Sequence, residues 1–189
     1  MPFHAKHYLV YLSTFVLLAL VASGCGGAST SDQTEEANKL VDEMNAVKEK
    51  AATLARQATE KGEEIEQKDV EKEGEQIKAL AGEQVNRYRE AAAAYRDAAE
   101  HAEQASKLRT DAWFKDYLAL NARHLRKVAE VLDVGREEAE AWINENALDD
   151  IADRREQTEE RAAKLSKEVE ELAQQIQKIE DEHKDDIRK

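Results

Sequence analysis

The chain has 189 residues, 37% of them charged, with 41 acidic against 28 basic side chains and a formal charge of −13. So acidic a chain excludes nucleic acid as a partner, because that affinity comes from basic side chains displacing counterions, and it excludes electrostatic capture by anionic lipid. A single cysteine rules out an intramolecular disulfide, and one proline with few aromatics points to long helices or coiled coil.

The first 24 residues divide into three parts. Met1 to Tyr8 carries one firm positive charge, Lys6; Leu9 to Ala22 is an uncharged apolar run; Ser23-Gly24 supplies small residues before a cut. The run has 14 residues, about 21 Å of helix against a hydrocarbon core of about 30 Å. It is short for a permanent span, and cleavage is the expected outcome. Removing residues 1–24 takes away only Lys6 among the charged residues, so 27 basic residues remain against 41 acidic ones, a formal charge of −14 on 165 residues. That length suffices for one domain with a core.

The apolar run ends at Ala22-Ser23-Gly24-Cys25, the only cysteine in the chain. This stretch resembles the lipobox of bacterial lipoproteins, with Ala22 standing where that family more often has Leu. The resemblance implies cleavage before Cys25, a diacylglycerol thioether on its sulfur and an acyl chain on its new amino group, with no other cofactor. Two or three acyl chains exceed what stable membrane anchoring needs. The resemblance places the mature protein in a bacterial cell envelope, on the outer or the cytoplasmic membrane. Gly26 after the cysteine, rather than Asp, is similar to the pattern that permits export to an outer membrane.

Gly26 to about Gln33 is small and polar, a flexible tether in expectation, so the domain layout is 1–24 signal, 25–33 lipidated tether and 34–189 helical body. From Thr34 the pattern is helical, with Ser31 or Asp32 as N-cap candidates. Leu40, Met44, Val47, Ala51, Leu54 and Ala58 alternate steps of 4 and 3, a heptad seam. Residues 60–76 are nearly all charged and include Gly62 and Gly74, each costing roughly 1 kcal/mol in a helix relative to Ala. The first joint is therefore expected near Lys72–Gly74.

A second seam runs Ile77, Ala81, Gln84, Tyr88, Ala91, Tyr95, Ala98, Ala102, Ala105, two residues out of phase with the first. The phase slips again at Arg109–Ala112, where Thr110 or Asp111 can cap a new helix. Its seam is Phe114, Leu118, Asn121, Leu125, Val128, Leu132, Gly135, Ala139, Trp142. Asn121 on this seam is a candidate for fixing register, and Gly135 is placed to kink or end the helix early. The fourth seam has the most regular pattern: Ile151, Arg155, Thr158, Ala162, Leu165, Val169, Leu172, Ile176, Ile179, His183. Asn146 with Asp149 marks its start.

Four helices over about 33–72, 75–109, 112–145 and 148–187 with short joints read as an all-α, antiparallel four-helix bundle. Two longer hairpins, or a coiled coil completed in an oligomer, are the competing architectures, because Gln84, Asn121, Arg155 and Thr158 put polar groups on the seams.

Chemistry is sparse. There is no CxxC, CxxCH or HExxH, and a di-iron bundle would need two Glu-x-x-His pairs where this chain has one, Glu180 to His183. No metal site and no catalytic residue is expected, and the chain reads as a non-enzyme. Trp113, Phe114 and Tyr117, with Trp142, form the candidate ligand or packing cluster at one end of the bundle. The terminal Arg188-Lys189 is similar to the end of a short murein lipoprotein family joined to peptidoglycan through its last lysine. That resemblance implies covalent wall attachment through Lys189. The leading expectation is a lipid-anchored structural or interaction module that meets other envelope proteins or itself. The alternative is a binding module for a small ligand, metal or wall polymer at the aromatic end.

Overall fold

The computed structural model describes residues 28–108, 111–144 and 148–184, with side chains from Gln33 onward. Cys25, the cleavage residues Ala22, Ser23 and Gly24, and Arg188-Lys189 lie outside the described residues, as do Thr110 and Asn146. Four helices follow one another: α1 (Ala28–Glu66), α2 (Val70–Leu108), α3 (Ala112–Asn144) and α4 (Leu148–Glu182). No strand occurs among the described residues. The longest helices have 39 residues, about 58 Å at 1.5 Å per residue.

Cross-helix pairs show that neighbours run antiparallel. Glu43 meets His101 while Lys61 meets Glu83, Glu103 meets Arg126 while Arg96 meets Asp133, and Tyr117 meets Glu180 while Glu138 meets Arg155. The expected antiparallel helical bundle therefore forms. One pole, here called basal, holds the start of α1, the α2–α3 joint and the end of α4. The other, apical, holds the α1–α2 and α3–α4 joints.

The main core is built by α1, α2 and α3. Val41, Met44, Ala51, Leu54 and Ala58 of α1, Tyr88, Ala91, Tyr95 and Ala98 of α2, and Leu118, Leu125, Val128 and Leu132 of α3 belong to one buried apolar cluster. The run of alanines on α2, most of them fully buried, lets the flanking helices approach closely. Ile65, Ile77 and Ala81 form a small apical cluster with Leu80, Trp142 and Ile143.

Several expectations are corrected. The helix of α1 starts at Ala28, so Ala28–Gln33 is helix rather than tether, and Ser31 and Asp32 lie inside it rather than at its cap. The first joint falls at Gln67–Asp69 instead of Lys72–Gly74. Asp69 sets it: its Oδ1 accepts the Glu71 amide at 3.1 Å, and its own amide donates to Glu73 Oε2 at 2.9 Å. This reciprocal pair satisfies amides that the start of α2 would leave without partners. Within the charged stretch α2 carries a local kink at Glu73, with φ −117° and ψ 20°. On α2 the buried position is Val85, with Gln84 half-buried.

α3 runs through Gly135 to Asn144 without a break. Its glycine makes room for a ring, since a Cβ there would sit 3.0 Å from Tyr88 Cζ. The largest departure concerns α4. Its seam is the most regular, yet only Thr158, Leu172 and Ile176 are buried. The reason is topological: α1 packs on α2, α2 on α3 and α3 on α4, and no other pair of helices is in extensive contact. α4 meets the rest mainly through α3, with Arg155 reaching Glu66 of α1, and most of its apolar stripe stays only half-covered.

Candidate functional site

At the basal pole, Asp111 precedes α3 and its carbonyl accepts the Lys115 amide at 3.1 Å, so the first turn of α3 is fixed where Trp113, Phe114 and Tyr117 emerge. Trp113 and Phe114 meet edge to face at 5.1 Å between centroids, and Phe114 and Tyr117 stack at 5.7 Å. His183 of α4 lies parallel to Trp113 at 4.3 Å. Phe114 is buried; Trp113 and Tyr117 are half-buried against the main core. The three expected aromatics are thus brought together, and the fourth is not. Trp142 lies in the apical cluster, 29 residues along the same helix and so about 43 Å away. An aromatic end that includes Trp142 is corrected on that ground.

Beside the aromatics lies a polar group that the sequence pattern did not single out. Tyr117 donates its hydroxyl to Glu180 Oε1 at 3.0 Å, and Asn121 donates Nδ2 to the Tyr117 carbonyl at 2.9 Å. Asn121 therefore spends its donor within α3 rather than on a partner helix. Burial first, then the Glu180 carboxylate, pushes the Tyr117 hydroxyl well above its ordinary range. His124, one turn further on, is held down to about 4 by burial and by the nearby Lys48 ammonium of α1. Lys48 is itself lowered by burial, opposed by Glu180. Lys48, His124, Tyr117 and Glu180 thus place a cation, a neutral imidazole, a phenol and a carboxylate where α1, α3 and α4 meet. The signal was present in part: Lys48 follows Met44 by four residues and sits on a buried face, though a lone lysine there breaks no motif.

A second polar group lies toward the apical pole. Tyr88 is buried and its hydroxyl is raised to about 12, by burial first and then by Glu138, against hydrogen bonds with Gln84 and Thr59. Glu138 is raised by burial, opposed by Arg155, whose Nε lies 3.4 Å from Glu138 Oε1. Arg155 also reaches Glu66 of α1 at 3.2 Å. The seam residues Gln84 and Arg155 are therefore spent inside one chain.

Neither group holds a nucleophile paired with a base. Among the described residues no set of three His, Cys, Asp or Glu side chains could hold a metal, and no helix is long and apolar enough to cross a membrane. Comparison with protein-family models, with curated proteins and with solved structures finds no match in any of the three.

Proposed function

We propose that the chain is a bacterial lipoprotein whose acidic helical body, non-catalytic, stands on a membrane as a structural or protein-interaction module. The observation that carries this reading is Ala22-Ser23-Gly24-Cys25 at the end of the apolar run Leu9–Ala22. A thiol at that position is what the diacylglycerol thioether requires, and a body of formal charge −14 after cleavage has no electrostatic reason to stay at an anionic bilayer. The start of α1 supports it: Ala28 is three residues from Cys25, at most about 11 Å of extended chain. The basal pole, with Trp113 and His183, then faces the membrane, and the apical pole points away.

The antiparallel path returns the end of α4 to that same pole. The ligand reading for the aromatic end loses support, because His183 already stacks on the Trp113 ring and Phe114 meets it edge to face.

The test is incorporation of labelled fatty acid in a bacterial host, with membrane fractionation. Label should enter the wild type and be absent from Cys25→Ser, which should leave the membrane fraction in plain buffer. Equal labelling of both forms, or none in either, overturns the anchor.

A further inference from the structure

The four helices are not equivalent. α2 and α3 each bury 11 residues, whereas α4 buries three over 35. The buried hydrophobics of α4, Leu172 and Ile176, belong to neither hydrophobic cluster, and Val169, half-buried, packs on the main core. Beside half-buried Ile151, Leu165, Val169 and Ile179, a set of polar contacts joins α4 to the rest. Lys127 reaches Glu168 at 3.1 Å, Arg155 reaches Glu138 and Glu66, Arg161 pairs with Glu137, and Tyr117 bonds to Glu180. These charged groups are between about a third and a half exposed, where each pair is worth at most about 1 kcal/mol and is screened by salt.

A helix joined this way opens at lower cost than the core it rests on. We propose that α4 docks on α3 and undocks from it as a unit, with charge pairs contributing to the docked state, while α1, α2 and α3 keep their own folded core. Ionic strength sets the docked fraction. In the undocked state α3 uncovers Tyr117, which the docked form ties to Glu180. The inference concerns the body alone and stands whether or not Cys25 carries lipid.

The experiment is amide hydrogen exchange on the full chain at pH 7, in about 0.05 M and about 0.5 M NaCl, followed by mass spectrometry of peptides. Leu148–Glu182 should exchange as a block at least about 10-fold faster than Tyr88–Ala102, and salt should speed that block several-fold while α2 stays unchanged. A Lys127→Ala, Arg161→Ala double variant, which removes two α3–α4 charge pairs at sites that are at least partly exposed, should raise α4 exchange alone. One common rate for α2, α3 and α4 at both salt concentrations overturns the proposal. So does a fast α4 that responds to neither salt nor the double variant.

Discussion

His124 ties a single side chain to the pH dependence of the whole. Its folded value of about 4 lies below the ordinary 6.5, so the fold favours the neutral ring. The sign follows: the stabilising contribution is complete above pH 6.5 and is lost as pH falls through 4. A shift of that size corresponds to roughly 3 kcal/mol at most. Many carboxylates titrate over the same range, so the comparison must be with His124→Gln. We expect the wild type to lose up to about 3 kcal/mol more than the variant between pH 7.5 and pH 4 in denaturant titrations, and the His124 ring protons to titrate near 4 by NMR. A midpoint near 6.5 would mean that the ring is not held between Lys48 and the core. Two glycines make a second residue-scale contrast. A Cβ on Gly82 meets nothing within 4 Å, so Gly82→Ala should stabilise by about 0.5–1 kcal/mol through helix propensity alone. At Gly135 the same gain competes with a 3.0 Å approach to the buried Tyr88 ring, and overpacking costs about 1–3 kcal/mol. Gly135→Ala should therefore lower the denaturation midpoint while Gly82→Ala raises it.

At the scale of elements, periodicity located all four helices and most buried positions on α2 and α3, because 4–3 spacing reports an apolar stripe whatever it packs against. It misplaced what depends on a partner's identity. Glycine content points to Lys72–Gly74 for the first joint, but helix ends are set where amides find acceptors, and Asp69 with Glu73 supplies both at once. Glu73 is held below the usual carboxylate range by the Asp69 amide and then by Lys68, in keeping with an ionised acceptor. Asp69→Ala should cost about 1 kcal/mol and loosen amide protection from Val70 to Gly74, with Glu73→Ala acting in the same direction on the same residues. Protection unchanged in both variants would show that the turn, not the cap, holds the joint. The polar half of the basal site was illegible for a related reason. Lys48 and His124 stand beside seam positions without breaking the pattern, and only the approach of a third helix makes them half-buried neighbours. The regular seam of α4 misled in the opposite sense, since pattern strength measures amphipathicity and not the number of helices available to cover it.

For the whole molecule, an up-down-up-down path fixes which features share a pole, and the anchor reading then turns that geometry into an orientation. Trp113 sits at the pole where α1 begins, Trp142 in the cluster at the other end, about 43 Å apart along α3. Energy transfer from tryptophan to a dansyl headgroup falls steeply with distance, so the two rings report opposite ends of the body. With lipidated protein in dansyl-labelled vesicles, Trp142→Phe, which keeps Trp113, should show clear transfer. Trp113→Phe, which keeps Trp142, should show little. Both substitutions leave a ring in place, and circular dichroism checks that the helices persist. Equal transfer from the two variants would mean that the body lies flat along the bilayer, and stronger transfer from Trp142 would mean that it stands the other way up. Either result separates orientation from anchoring, because the Cys25→Ser form, lacking any transfer, supplies the baseline for both.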